Sequence, residues 1–138
     1  MPQVNHEHPL YVELKPSWAQ VNDCIQGERK VKHKRETYLP KPNAGDLSME
    51  NKHRYEQYLL RAVFYNVTAR TLSGLVGQVF SRDPIVEVPP LLDAIMEDSD
   101  GAGVTVEQQA KCVLSHVLAN GRAGLFVDYP AVEGTATR

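Results

Sequence analysis

Five basic residues and a histidine crowd positions 29–35: Arg29, Lys30, Lys32, His33, Lys34 and Arg35. Such a cluster can neutralise phosphates and release their counterions, giving nucleic-acid affinity that falls as salt rises. No recognition helix, zinc finger or base-stacking aromatic pattern accompanies it, so contact with double-stranded DNA is expected to be nonspecific. Charge runs are more often solvated faces, or patches that meet acidic residues of a neighbouring subunit, and that reading stands beside the first. The other candidate groups offer less. His6-Glu7-His8 places two imidazoles on alternate residues of a segment with nothing to preorganise it for a metal. Asp98-Ser99-Asp100 with Gly103 in sixth place has the outline of a calcium loop, but Ala102 and Gln109 stand at the fifth and twelfth places, where carboxylates are needed. No metal site and no cofactor are expected. Catalysis would require a nucleophile, a base and an orienting group. The chain contains no GxSxG, GxxxxGK[ST], HExxH or GxGxxG motif, so no enzymatic activity is expected. Cys24 and Cys112 form no CxxC pair; one disulfide is conceivable, and two free thiols in a reducing cytoplasm are expected.

These groups must be carried by a scaffold of limited size. With 138 residues, 42% hydrophobic and 23% charged, the chain fits one globular domain and little more. No apolar run approaches the roughly 18 residues a membrane helix needs, and the polar first ten residues lack a signal-peptide core. Without a signal peptide, the glycosylation sequon at Asn66-Val67-Thr68 carries no meaning. Charge is uneven: residues 1–82 hold 12 Lys/Arg against 8 Asp/Glu, a net +4, and residues 83–138 hold 3 against 9, a net −6. One chain with a basic and an acidic half can steer two partners or present complementary faces to its own copies.

The spacing of Tyr55, Tyr58, Ala62, Tyr65, Ala69, Leu72, Val76 and Val79 alternates three and four, which predicts one long helix near 48–81. Asp46 or Ser48 would cap it and Asp83-Pro84 would stop it, with Gly74 and Gly77 permitting a bend or a close crossing. Tyr55, Tyr58, Tyr65, Leu72 and Val76 are then packing or interface residues, since their spacing is that of a helix face. Upstream, a helix is expected from Ser17, behind Pro16, to Gly27, followed by an irregular connection through Pro40 and Pro42. Downstream, 85–88 reads as a short strand or extended link and 91–96 as a short helix. Thr105 and Gln108 form a capping box for a helix near 105–119, ended by Asn120-Gly121. A C-terminal strand is expected near 123–129, stopped by Pro130. The fold class that follows is α+β, predominantly helical, as a single domain over 1–138 with 1–14 and 131–138 flexible.

The stretch 58–80, which runs from Tyr58-Leu59-Leu60-Arg61 through Asn66-Val67-Thr68-Ala69-Arg70 to Gly77-Gln78-Val79-Phe80, resembles a portal-like family of tailed-bacteriophage and prophage proteins. Asn120-Gly121-Arg122-Ala123-Gly124-Leu125-Phe126-Val127-Asp128-Tyr129-Pro130 resembles the same family, as do Trp18, Asp23-Cys24, Gly27 and Tyr38-Leu39-Pro40 in their placement. The likeness covers most of residues 11–130. It implies a structural virion protein, a head–tail connector subunit that forms a ring at the capsid vertex for DNA packaging and ejection. Partners implied are further copies of itself, as a ring oligomer in the full-length protein, with capsid, adaptor and terminase proteins, and double-stranded DNA, and no membrane. The implied location is the virion, and the host cytoplasm during assembly. The order of elements is similar to the wing region of portals, with no candidate for a stem or clip, so a fragment or shortened chain is expected. A small phage adaptor, or a nucleic-acid-binding module using 29–35, is the alternative.

Overall fold

A computed structural model describes residues 6–127. Helix α1, Pro9–Gln26, starts earlier than its interior proline suggests. Pro9 sits in the first turn, where a missing N–H costs nothing, and the His8 ring nitrogen Nδ1 accepts from the Leu10 amide at 3.2 Å. Pro16 lies inside the helix, and the Tyr11 and Trp18 rings meet in edge-to-face contact at 5.1 Å. Residues 9–14, read above as flexible, are therefore helical. The helix ends at Gly27, whose φ of 89° favours glycine, and whose amide donates to the Asp23 and Cys24 carbonyls.

The long helix expected over 48–81 is two helices, α3 (Met49–Arg61) and α4 (Val67–Val79), set after the short α2 (Glu28–His33). The break falls at 62–66 and not at Gly74 or Gly77, through which α4 runs with open space beside both. Val63, Phe64, Tyr65, Asn66, Val67 and Thr68 all belong to the weaker helix formers, so six consecutive residues lower the cost of leaving the helix. Asn66 converts that weakness into a new start: its Oδ1 accepts from the Ala69 amide at 2.9 Å. Ser48 caps α3 in the same way through the Asn51 amide at 3.1 Å.

Helices α1, α4 and α6 (Val106–Asn120) pack against one another, with α2 on α1 and α5 (Asp93–Glu97) on α6. The Thr105–Gln108 capping box and the left-handed Gly121 bound α6. Asn22 Nδ2 ties α1 to the end of α6 through Asn120 Oδ1 at 3.1 Å, and the Arg122 guanidinium lies 4.8 Å from the Trp18 ring centre. Helix α3 is held by the 38–46 connection: Asn51, Tyr55 and Leu59 form its buried stripe, and Asn51 Nδ2 donates to the Asn43 and Asp46 carbonyls.

No strand occurs among the described residues, so the fold is all-α and the α+β expectation fails. Residues 85–88 and 122–127 carry no secondary structure, and among the described residues no backbone hydrogen bond joins either to a neighbouring segment. Apolar β-formers make a strand only where a second strand supplies the ladder. The remainder of the strand expected at 123–129 lies outside the described residues.

Candidate assembly surface

The five cations of 29–35 do not act as one patch. Lys32 Nζ pairs with Glu28 at 2.6 Å and donates to the Leu60 carbonyl at 3.2 Å, which pins α2 to the end of α3. Lys34 faces the buried Asp23 at 3.5 Å. Arg35, with a φ of 47° in the left-handed region, turns the chain after α2 and pairs with Glu56. Its guanidinium lies 5.7 Å from the Tyr55 ring centre, so packing and charge together hold a backbone conformation that is unfavourable for a side chain with a Cβ. Arg29 and Lys30 remain without an ion pair among the described residues; with Gln26 and His33 they line an open recess of about 320 Å³.

Behind this face lies a polar contact that no local pattern announces. Asp23 is 5% exposed, and the Tyr38 hydroxyl donates to its Oδ2 at 2.7 Å. That hydrogen bond, followed by the Lys34 charge, holds the Asp23 carboxyl below its ordinary range. The same bond, together with partial desolvation, pushes the Tyr38 phenol up to about 12. The fifteen-residue separation places the pair beyond any helical or strand periodicity, so only folding brings it together.

The tyrosine seam divides where the helix breaks. Tyr55 is buried at 3% exposure and donates to the Leu39 carbonyl at 2.8 Å, with Tyr58 beside it at a ring separation of 6.2 Å. Tyr65 sits in the connector, 68% exposed, and receives Arg70 in a hydrogen bond of 3.0 Å with the guanidinium 5.0 Å from the ring centre. It therefore lies off the buried stripe of α3, and of the two roles expected of it, packing or interface, its exposure fits the second. Leu72 and Val76 are half-buried and lie toward α6, where they share a recess with Lys111 and Ser115. Leu72 also lines a second recess of about 360 Å³ with Val21, Ile25, Leu75 and Leu118, where α1, α4 and α6 meet without closing.

Apolar burial is sparse. Only Val31, Tyr55 and Leu59 form the buried hydrophobic core among the described residues, and Val63, Val79, Ile85, Leu125 and Phe126 are exposed at 63% or more. The accessible surface is 11,610 Å², against about 7,200 Å² for a folded monomer of this mass. Counting the sixteen undescribed residues at the full unfolded-chain rate still leaves an excess of about 2,500 Å². Part of this surface is apolar, since large side chains such as Val63, Ile85 and Phe126 stand exposed.

The remaining candidate sites resolve into local structure. Asp98 Oδ1 accepts from the Gly103 amide at 2.9 Å, and Asp100 Oδ1 accepts from the Ala102 and Val104 amides, so this loop closes on its own backbone. His8 caps α1, and His6 and His8 meet no group that could complete a metal cluster among the described residues. Cys24 and Cys112 are both free, and no helix of the described residues is long and apolar enough to cross a membrane. A scan against protein-family models and a search of curated proteins each found no match for this chain.

Proposed function

We propose that this chain is a non-enzymatic structural subunit of the portal, the head–tail connector of a tailed bacteriophage, and that its helices are built to be covered by neighbouring copies in a ring. The observation that supports this reading is the uncovered surface. An excess of about 2,500 Å² shared between the two faces of a ring subunit gives each face about 1,250 Å², or about 2,500 Å² across a contact, within the range of obligate interfaces. A small self-contained binding module would bury that surface within itself. The basic first half and acidic second half of the sequence suit contact between unlike regions of neighbouring copies, which is head-to-tail and not a symmetric pair.

The nucleic-acid-module alternative loses support at the basic cluster, where Lys32, Lys34 and Arg35 are already paired within the chain. Any duplex DNA contact in a portal role then falls to backbone charge alone, without sequence preference. Size exclusion coupled to light scattering, with negative-stain electron microscopy of the same fractions, tests the proposal. Closed rings are expected when the protein is concentrated; a chain that stays monomeric throughout, in low and high salt, overturns it.

A further inference from the structure

One short segment differs from the rest of the exposed apolar surface. Leu125, Phe126 and Val127 are exposed at 64%, 89% and 85%. Among the described residues no other three consecutive large apolar side chains are all exposed to this degree, and Phe126 is the most exposed aromatic ring. The segment leaves α6 through the left-handed Gly121, and among the described residues no backbone hydrogen bond ties 122–127 to another element. A complementary feature lies where α1, α4 and α6 meet, in the unclosed recess of about 360 Å³. Among the described residues its walls carry two threonines and no charged side chain, so a phosphate or other charged group would lose its water there without gaining a partner. Val67, Leu75 and Leu118 at its walls are themselves exposed, so the recess stands open in the single chain.

We infer that the 122–127 arm of one copy docks on the next copy, with Phe126 entering the recess between α1, α4 and α6. This names a contact within the ring and rests on the ring reading above. The chain does not place its own arm there. The Arg122 guanidinium lies 4.8 Å from the Trp18 ring centre, so the arm begins over the middle of α1. The recess extends to Ile25 near the end of that helix, about 10 Å further along its axis. Phe126 is left in solvent by that course, and a second copy supplies the same recess without requiring the arm to turn back. Arm and recess are different surfaces, so the contact is head-to-tail and repeats from copy to copy. A buried phenylalanine covers about 150 to 250 Å² of the roughly 1,250 Å² that each ring face has to hide. That share suits a central aromatic anchor surrounded by weaker contacts.

The test alters each side of the contact at an exposed position of the full chain. Phe126→Ala removes the anchor, and Thr71→Lys sets a charge at the recess. Gln57→Lys, exposed on α3, makes the same charge change away from the recess and serves as the control. Far-UV circular dichroism confirms that each variant folds, and sedimentation velocity reads association. The parent should self-associate and continue to do so in about 1 M salt, since apolar burial is not screened. Phe126→Ala should associate roughly thirtyfold more weakly, as the loss of a central aromatic anchor does, and Thr71→Lys at least tenfold more weakly. Mixing these two variants should restore pairs, because one keeps the recess and the other keeps the arm. Rings that form equally well from Phe126→Ala overturn this contact and leave the ring reading standing. Absence of any association in the parent removes both. Equal weakening by Gln57→Lys, or loss of the parent's association in high salt, overturns the contact in favour of a charge-driven one. A fall in the melting temperature of the dilute monomer on Phe126→Ala also overturns it, and assigns the recess to the chain's own arm.

Discussion

Asn66 is the position where the largest structural consequence hangs on one side chain. Its Oδ1 accepts from the Ala69 amide at 2.9 Å to begin α4, and its Nδ2 donates to the Ile25 carbonyl at 3.3 Å near the end of α1. Replacing it with alanine removes the cap, about 1 kcal/mol, and a long side chain-to-backbone bond, about 0.5 kcal/mol or a little more. Alanine also favours helix at the break by several tenths of a kcal/mol, which rewards the competing state in which α3 and α4 fuse. The expected destabilisation of the native arrangement is about 2 kcal/mol, a fall in melting temperature of about 5 to 10 °C for a domain of this size. Asn66→Ser keeps the cap and loses only the reach to Ile25, so it should cost roughly a third as much. Thermal melts followed by circular dichroism give the order parent, serine, alanine. If Asn66→Ala melts with the parent, the break is set by the connector sequence and not by the cap. A fused helix over 49–79 would be about 46 Å long, and a rise in helical signal on Asn66→Ala would report it directly.

Gly27→Ala should cost about 1 to 2 kcal/mol, because its φ of 89° is strained for any Cβ and that Cβ would press on Asn66 Nδ2 at 3.3 Å; an unchanged urea midpoint would refute this. Leu72→Asp, placing a charge on the half-buried contact of α4 with α1 and α6, should cost about 2 to 3 kcal/mol, whereas Arg29→Ala should stay within about 0.5 kcal/mol; equal melting temperatures would mean that α4 is wrongly oriented. The Asp23–Tyr38 bond makes stability pH-dependent at both ends. The Asp23 value is lowered on folding, so its contribution is present above the unfolded carboxyl value near 3.9 and is lost as pH falls through the lower folded value. The Tyr38 value is raised on folding to about 12, so its contribution is present below the unfolded phenol value near 10 and is lost as pH rises through about 12. The difference in urea midpoint between the parent and Tyr38→Phe should be flat from about pH 5 to about pH 9 and shrink outside that window; a difference constant through the acid limb would refute the bond.

Local chemistry alone determined a good deal about this chain. The Thr105–Gln108 capping box, the Gly121 stop, the Ser48 cap and the stop of α1 at Gly27 are each short-range contacts between residues a few positions apart, and the structure has them where the sequence reading places them. The loop at 98–104 is likewise closed locally, by the Asp98 and Asp100 carboxylates accepting from its own backbone amides. The fate of the seam was beyond reach of periodicity, because an uninterrupted three-four pattern describes one helix or two helices equally well. Leaving the helix at 62–66 is decided by what α4 gains from packing against α1 and α6, a tertiary term that propensity weakened by Val63 to Thr68 cannot oppose. The basic run is a similar case: the sequence counts five cations, and only the folded chain assigns Lys32 to Glu28, Lys34 to Asp23 and Arg35 to Glu56. Strand pairing is nonlocal by nature, so the apolar residues of 123–127 announce a preference that no described neighbour fulfils. What short-range bonds can satisfy is written in the order of the residues; what depends on a distant partner waits for the fold that supplies it.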